Sequence, residues 1–438
     1  MFINKKHLVV LLCIGSLLNC DSVYESEDPQ AGPGVVSQTV SCEKHEDCGS
    51  GLCKRIDLAF EDPLVKAGTC VPQQMVGYVD AKNCKDNAAG TRQSPYCTIS
   101  AGIDFKNYLL VAPKDGGYAS LDLNETNSNA PKEIPTLIVG ATGRDSDKPV
   151  QINGVSISGK SKEVWFDGIT STTGKTGNSS GFLCKDGARV GVVRSNAVDN
   201  TRSGIEAKNC GLLWVDQAYL NRNLELGVDI SIGTKASKSD EQLDVGYHVT
   251  NSFFYDNERG GVILSKYALQ RSGREAELSQ NTLYKNGLNQ TNRRFCGGGA
   301  AGSAIEVTLN SKTLKTQKIL IKDAVVWDNM LTDGSGNAVA QICCNVDGQY
   351  PTFDICDLSG VIANQADNYP ATVGIKKILT PSGRISDRLE TGVCSDSAAQ
   401  IKAILPRSKK SSTPFDYFGN QRIEGAVDAG FCQVNVGE

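Results

Sequence analysis

Histidine and aromatic residues are scarce in this sequence. It contains only three histidines, His7, His45 and His248, and Phe, Trp and Tyr together make up 6% of the chain. His7 lies in the apolar N-terminal segment and the other two are far apart, so no histidine pair is available to hold a transition metal in a catalytic site. The sequence therefore gives little support to zinc catalysis or to a hydrolytic triad.

An excess of basic residues is also missing. The chain has 45 Lys and Arg against 49 Asp and Glu, which gives a formal net charge of −4. A nucleic-acid surface would be basic, so we do not expect nucleic acid as a partner. Glycine, in contrast, is abundant with 45 residues. Many glycines and few aromatics favour many short strands and turns over a helical bundle.

Long apolar runs are missing except at the N-terminus, where Lys5 and Lys6 precede the apolar residues 8–18. A membrane span needs about 20 apolar residues, so this segment predicts a signal peptide of residues 1–19. Leu17-Leu18-Asn19-Cys20 resembles a bacterial lipobox, with Asn19 in place of the usual small residue. The resemblance implies a lipid on Cys20 and an exported protein anchored in the outer membrane or at the cell surface. Secretion without a lipid is the alternative.

The 16 cysteines agree with export. Removing Cys13 with the signal peptide and Cys20 with the lipid leaves an even number, as complete disulfide pairing requires. Residues 20–40 are polar and predict a flexible tether. Residues 41–73 contain four cysteines in a segment too short to bury a sufficient core. We expect a disulfide-rich knot that acts as a spacer; a zinc site with His45 is the alternative.

Short strands repeat from Thr136 onward. Turns such as Asn153-Gly154 follow them, and later repeats share a cassette that ends in a Gly-led strand, as in Gly204-Ile205-Glu206-Ala207. One such unit cannot bury its apolar face alone, so successive units are predicted to stack around one core. The spacing of Asn196 and Asp216 predicts a coil of about 20 residues.

Three insertions follow the Gly-led strand, at residues 233–244, 266–274 and 311–317, and a fourth at residues 289–302 precedes it. Insertions that recur at one point of a repeat project from one side, commonly the binding side. The alternative is drift in unconstrained loops.

Residues 76–432 resemble the pectate-lyase-like superfamily of right-handed parallel β-helices. Tyr78-Val79-Asp80 and the residues 94–99 resemble its N-terminal cap, and residues 418–430 resemble its closing signature. The resemblance implies an all-β solenoid with a capping helix near residues 98–105, and a disulfide between Cys84 and Cys97. It is specific for the fold and weak for activity, since one scaffold hosts many functions.

The sharpest candidate for chemistry is a pair of carboxylates on successive Gly-led strands. Their apolar neighbours are predicted to point inward, so Glu206 and Asp229 point outward. On adjacent coils they would lie about 4.8 Å apart, where like charges share a proton or recruit a cation. The superfamily resemblance implies that the cation is calcium. Glu306 falls at the same place further along, beyond a coil in which Ile263 interrupts the row.

Three cations flank these carboxylates. Arg202 and Arg259 each stand two residues before a glycine, and Lys208 follows a Gly-led strand. In a lyase one of them would abstract the proton beside a uronate carboxylate, and in a binding module they would contact an acidic sugar. The alternative without a function is a solvated face whose ion pairs contribute little to stability.

Two further sets of residues predict structure rather than chemistry. Asn196, Asn251 and Asn281 occur at matching places in the cassette and predict a ladder of stacked amides at a corner. The tryptophans fall in separate coils and are predicted to be packing residues rather than a sugar platform; they are Trp165, Trp214 and Trp327.

Three functions stay open at this stage. The leading interpretation is a monomeric surface lipoprotein whose β-helix is a rigid binding or adhesive module for glycans. The enzyme alternative is a calcium-dependent polysaccharide lyase or epimerase that acts on uronate-rich polymers, with Glu206 and Asp229 as calcium ligands. A purely structural envelope protein is the third.

Overall fold

The computed structural model describes residues 40–55, 58, 60–85, 87–124, 134–143, 146–160, 162–174, 179–231, 246–265, 276–287, 304–309, 319–327, 329, 342–346, 355–359, 361–363, 376–377, 407–408 and 427–428. The predicted signal peptide, Cys20 and nearly all of the predicted tether lie outside these residues. No helix in the described ranges is long and apolar enough to span a membrane.

The described elements are almost all strands. The helical elements among the described residues are two 3-10 helices, His45–Asp47 and Gln73–Met75, and one α-helix, α1 (Ile99–Ile103). The strands of the first half are β1 (Cys53–Lys54), β2 (Thr69–Cys70), β3 (Val76–Val79), β4 (Tyr108–Val111), β5 (Leu121–Leu123), β6 (Thr136–Gly140), β7 (Val150–Ile152), β8 (Val155–Ser158), β9 (Glu163–Asp167), β10 (Ile169–Ser171), β11 (Phe182–Lys185), β12 (Arg189–Val193), β13 (Asn196–Val198), β14 (Ile205–Lys208), β15 (Leu212–Asp216) and β16 (Tyr219–Asn221).

The strands of the second half continue the same order. They are β17 (Leu226–Ser231), β18 (Gly246–Thr250), β19 (Phe253–Tyr255), β20 (Gly260–Leu264), β21 (Ala276–Glu277), β22 (Thr282–Tyr284), β23 (Ile305–Leu309), β24 (Ile319–Leu320), β25 (Val325–Trp327), β26 (Ile342–Val346), β27 (Cys356–Asp357), β28 (Ile362–Ala363), β29 (Lys376–Lys377), β30 (Arg407–Ser408) and β31 (Val427–Asp428).

Three long parallel sheets make up the body of the protein. Sheet 1 has 10 strands, from β3 to β27; sheet 2 has 9, from β7 to β29; sheet 3 has 8, from β5 to β26. The chain visits the sheets in the order 1, 2, 3 and then returns to sheet 1 one coil further on, so each coil pairs with the coils before and after it. This is a parallel β-helix, which confirms the predicted fold class.

One continuous core fills the solenoid. Inward-facing residues of the coils form a single hydrophobic cluster that extends from Val79 to Val361. Two disulfides lie inside it, Cys184–Cys210 and Cys344–Cys356. No single coil buries its apolar face without its neighbours, so the stacking itself stabilises the fold.

An asparagine ladder runs along one corner, but other residues form it than predicted. Its members are Asn200, Asn223, Asn257, Asn286 and Asn329, all fully buried. The Nδ2 of each donates to the Oδ1 of the next at 2.7 to 2.9 Å. From Asn223 onward each Nδ2 also donates to a backbone carbonyl. These amides are fully buried and bonded to one another, so the ladder is structural.

The three asparagines predicted to form the ladder occupy different places. Asn196 lies in β13 opposite Tyr219, Asn251 is a left-handed corner residue with φ 55°, and Asn281 accepts a hydrogen bond from the Ser252 backbone. The prediction was wrong because the three residues are out of register with one another by one or two positions. They are 55 and 30 residues apart, whereas Asn200, Asn257 and Asn286 of the ladder are 57 and 29 residues apart.

The predicted N-terminal cap is confirmed. Helix α1 begins after Thr98, whose hydroxyl accepts a hydrogen bond from the Ala101 backbone at 3.1 Å. It places Ile99 and Ile103 on the end of the core cluster. Cys84 and Cys97 form the expected disulfide.

The cysteine-rich knot packs on the outer face of sheet 1, so its interpretation as a separate spacer was wrong. Its disulfides are Cys42–Cys53 and Cys48–Cys70. A second hydrophobic cluster joins knot residues to the outer face of the first coils; it contains Leu52, Leu58, Phe60, Val65 and Val71 from the knot, and Tyr78, Tyr108, Leu137 and Trp165 from the sheet. Since the sequence pattern of the knot alone does not show which surface it covers, this docking was not predictable.

An outward row of sheet 1 contains stacked rings. Trp165 is fully buried and lies 5.1 Å from Phe60 of the knot and 6.4 Å from Trp214, between ring centroids. Trp214 in turn lies 4.5 Å from His248. The rings cover one another, so Trp165 and Trp214 are packing residues, as predicted; the side chain of Trp327 lies outside the described residues.

The predicted insertions lie outside the described residues, but the strands that flank them are informative. The insertions at 233–244, 266–274 and 311–317 connect β17 to β18, β20 to β21 and β23 to β24. Each of these connections leads from sheet 3 to sheet 1. The three insertions therefore leave the solenoid at the same corner.

Candidate functional site: a charged row on sheet 3

The predicted carboxylate pair lies on neighbouring strands in the expected register. Glu206 of β14 is directly opposite Asp229 of β17. The row continues through Ile263 of β20 to Glu306 of β23. The residues that flank Glu206, Ile205 and Ala207, belong to the core cluster, so this row faces outward as expected.

Glu206 is nevertheless not solvated. Its side chain is only 2% exposed, and both carboxylate oxygens accept hydrogen bonds or ion pairs. Ser180 Oγ donates to Oε2 at 2.7 Å. Arg202 Nη2 and Lys208 Nζ lie 3.0 and 2.5 Å from Oε1. A buried carboxylate with two cations and a hydroxyl around it is a closed network, and the expectation of an exposed charge at this position was wrong.

A second acid, Glu225, connects Arg202 and Arg259 at the corner before sheet 3. Glu225 lies on the coil between them, and its carboxylate is 3.5 Å from Arg202 Nε and 3.3 Å from Arg259 Nη1. The backbone of the three residues is also linked, from Glu225 to Arg202 and from Arg259 to Glu225. Arg202 and Arg259 thus share one corner position on alternate coils, as predicted.

The cations at this corner remain reachable from solvent. The exposed fraction of the side chain is 31% for Arg202, 38% for Lys208 and 50% for Arg259. Each cation therefore has a buried or half-buried carboxylate on one side and solvent on the other. We refer to Arg202, Lys208, Glu206, Glu225 and Arg259 as the charged row.

Calcium does not fit at Glu206. A calcium site needs six to eight oxygen ligands, with carboxylates free to supply them. Here Arg202 and Lys208 occupy Oε1, and a cation placed beside them would be repelled. Asp229 lies in the next strand and already interacts with other groups. Among the described residues, the one group with metal-ligand geometry is Cys42, Cys48 and Cys70, and all three are in disulfides.

Lys208 and Arg202 are poorly placed to act as a catalytic base. A general base must reach the substrate proton with an available lone pair. The Lys208 ammonium and the Arg202 guanidinium both donate to Glu206 instead. No step of proton abstraction follows from this arrangement.

Glu306 lies in the same row of sheet 3 as Glu206, but its side chain has different neighbours. Its side chain is buried, with 4% of the residue exposed. Burial raises the pKa of Glu306 to about 7, and a hydrogen bond from Thr308 opposes this only in part. A buried carboxyl whose pKa lies near neutrality is a frequent feature of functional sites, and also of cores that tolerate a protonated acid.

The zinc alternative for the knot is contradicted. All four knot cysteines are in disulfides. His45 accepts a hydrogen bond at Nδ1 from the Cys53 backbone and therefore donates from Nε2 to Asp167, 3.2 Å away on sheet 1. Burial opposes ionisation of Asp167, but Arg194 and His45 outweigh it and lower the pKa of this carboxyl. This cluster attaches the knot to the solenoid.

Sequence reasoning missed two residues of this site. Ser180 contacts Glu206 from the preceding coil, and Glu225 bridges the arginines. Glu225 could have been found from a correct coil length, because it is 23 residues after Arg202, the same interval that separates Asn200 from Asn223. Ser180 carried no comparable signal.

Comparisons with known proteins do not identify a family. No protein-family model and no curated protein sequence matches this chain. Among solved structures, the chain is similar to pectate lyase Pel9A, with a TM-score of 0.42 and 13% sequence identity, over 82% of this chain and 96% of that chain. The β-helix itself is established by the register of the three sheets.

Proposed function

We propose that this protein is a non-catalytic, metal-independent binding module for acidic polysaccharides. The observation that carries the proposal is the charged row, in which Arg202, Lys208 and Arg259 are positioned by buried or half-buried carboxylates and still reach solvent. Guanidinium and ammonium groups held in this way can donate charge-assisted hydrogen bonds to a sugar carboxylate.

The spacing of the row suits a polymer. Strands of neighbouring coils lie about 4.8 Å apart, and Arg202 and Arg259 stand on coils that are separated by the coil of Glu225. Arg202 and Arg259 therefore follow each other along the solenoid axis, and Lys208 lies on the coil of Arg202, at Glu206. A chain with repeated carboxylates can contact several of them at once, which raises its affinity over that of a single sugar.

Rigidity supports binding as well. The asparagine ladder and the continuous core keep the row in one conformation. A preorganised surface loses little conformational entropy when a ligand binds. The lyase alternative, by contrast, needs a calcium ion and a base, and neither Glu206 nor Lys208 is available for these roles.

Affinity measurements with polygalacturonate test the proposal. For the purified full-length protein we expect binding that persists in a chelator, weakens with added salt and is weaker for a neutral glucan. Arg259→Gln should reduce affinity roughly three- to tenfold, since it removes one charged hydrogen-bond donor. Arg189→Gln is the control, because Arg189 is similarly exposed and ion-paired to Glu163 on sheet 1.

Three results would contradict this function. Binding that disappears in a chelator would restore the calcium hypothesis. Release of unsaturated uronate products, followed by ultraviolet absorbance, would restore the lyase. An equal loss in Arg259→Gln and Arg189→Gln would mean that the charged row is not the contact surface.

We further propose that the module is exported and held at the membrane by a lipid on Cys20. The disulfides of the knot, cap and core support an oxidising compartment. Metabolic labelling with a fatty-acid analogue should tag the wild type and leave Cys20→Ala unlabelled. Label that persists in Cys20→Ala would overturn the anchor without affecting the binding proposal.

A further inference from the structure

A cavity of about 330 Å³ lies where the knot continues into the first coil of the solenoid. Ligand cavities in proteins begin at about 300 Å³, so a small molecule can be accommodated. The residues that line it are Gln73, Gln74, Val76, Tyr78, Ala89, Gly90, Thr91 and Lys106. They come from the 3-10 helix before β3, from β3 itself, from the loop closed by the cap disulfide, and from the segment after α1.

One wall of this cavity is held rigidly. The loop that contains Gly90 lies between Cys84 and Cys97, which are joined by a disulfide. The backbone of Tyr78 donates to the Gly90 carbonyl at 2.9 Å. Gly90 has φ +72°, and a Cβ there would meet the Tyr96 ring at 2.2 Å. Only glycine therefore fits against the Tyr96 ring at this position.

The opposite wall positions a cation. Lys106 Nζ donates to the Gln74 carbonyl at 2.6 Å. The stem of Lys106 lies against Gly77, where a Cβ would approach Lys106 Cγ to 2.9 Å. An ammonium has three hydrogens to donate, so two remain for a ligand in the cavity.

The lining groups favour one class of ligand. They include one cation, two primary amides and the hydroxyls of Thr91 and Tyr78, but no carboxylate; the Tyr78 hydroxyl already donates to the Ser50 carbonyl. The amides of Gln73 and Gln74 both donate and accept, which matches sugar hydroxyls, and the ammonium of Lys106 matches a carboxylate. Val76 and Tyr78 supply an apolar floor. We propose that the cavity binds a single uronate residue, such as the end of an acidic sugar chain.

This site is separate from the charged row. The cavity belongs to β3 and the cap, whereas the charged row belongs to the coils of β14, β17 and β20. The inference therefore goes beyond the proposed function. It adds a second contact that would recognise the end of a chain rather than its length.

Calorimetric titration of the full-length protein with galacturonate tests the cavity, with galactose as the neutral counterpart. We expect galacturonate to bind more tightly than galactose, because only galacturonate carries a carboxylate. Lys106→Met should lower galacturonate affinity about tenfold. Lys114→Met, which removes an exposed lysine elsewhere in the cap, should leave it unchanged.

A charge pair at one position keeps the test independent of folding. The side chain of Gln73 is exposed and makes no hydrogen bond to the described residues, so Gln73→Glu and Gln73→Lys disturb the structure equally. Gln73→Glu should weaken galacturonate binding several-fold and Gln73→Lys should maintain or strengthen it.

Three outcomes would overturn the inference: no galacturonate binding by the wild type, equal affinity for galactose, or equal effects of the two Gln73 variants. The charged row is tested separately, by the polygalacturonate titration of Arg259→Gln, so failure of this site and failure of the charged row can be told apart.

Discussion

Glu206 and Glu306 occupy the same outward row of sheet 3, and both are buried, yet their charges are balanced differently. Glu206 is surrounded by Ser180, Arg202 and Lys208. For Glu306 the described structure provides the hydroxyl of Thr308, and burial raises its pKa to about 7. One coil thus contains an ion-paired carboxylate, and another contains a carboxyl that keeps its proton until near-neutral pH.

The difference shows that a place in the row does not decide the charge state. The residue two positions after the acid is Lys208 in one coil and Thr308 in the other. An opposite charge within about 4 to 6 Å favours the ionised form, and burial without one favours the neutral form. The neighbours, and not the repeat position, therefore determine which coil can present charge to a ligand.

The largest expected effect comes from removing the cations around Glu206. Arg202→Met combined with Lys208→Met leaves a buried carboxylate with the Ser180 hydroxyl as its described partner. We expect a loss of about 3 kcal/mol of unfolding free energy, because an unpaired buried charge is strongly destabilising. The shift of the guanidinium unfolding midpoint measures it.

Its control adds Glu206→Gln to the two methionine variants. Without the charge there is nothing left to neutralise, so most of the lost stability should return. If the double variant is as stable as the wild type, Glu206 is not dependent on these cations and the contrast with Glu306 collapses.

A smaller and pH-dependent effect is expected at Glu306. Its pKa is raised from 4.5 to about 7 in the folded state. Below about pH 4.5 both states are protonated, and as the pH rises towards 7 the unfolded state gains stability by ionising while the folded state keeps its proton. Glu306→Gln should therefore be more stable than the wild type by about 2 kcal/mol at about pH 6.

The same variant should match the wild type near pH 4, which makes the pH series its own control. The unfolding midpoints of both proteins across this range provide the measurement. Parallel curves at all pH values would mean that Glu306 titrates as an ordinary glutamate in the folded protein.

The smallest effect is expected from moving one feature of the Glu206 coil to the Glu306 coil. Thr308→Lys places an ammonium two residues after Glu306, as Lys208 stands after Glu206. We expect it to lower the pKa of Glu306 by about one unit, through the charge it introduces. Carbon NMR of labelled glutamate carboxyls follows the titration, and Thr308→Met controls for side-chain length; the same decrease in both variants would argue against a charge effect.

Local patterns predicted much of this molecule. The short strands that repeat from Thr136 onward, the capping helix and the Cys84–Cys97 disulfide all appeared where the sequence placed them. Alternation of apolar and polar residues also predicted the outward row of Glu206 and Asp229. Each of these depends on residues that are close together in sequence or on a motif with a known place in the fold.

The wrong predictions concern contacts between distant residues. The asparagine ladder is formed by other asparagines than predicted, because the predicted ones miss the register of the coils by one or two residues. The knot was taken for a spacer, although His45 and Asp167, separated by 122 residues, connect it to sheet 1. A pattern within the knot contains no information about which face it will cover.

The sequence by itself determined that this chain is a stack of short strands around one apolar core, with Gly, Asn and Asp at its corners, because alternation and turn chemistry are local properties. The tertiary structure alone decided which side chains meet across coils. It surrounded the Glu206 carboxylate with groups from two coils, buried Glu306 so that its pKa is raised, and packed the knot over Trp165. The register of the strands depends on the length of the loops between them, and the charge state of a buried carboxyl depends on its neighbours. Both are fixed only when the coils stack.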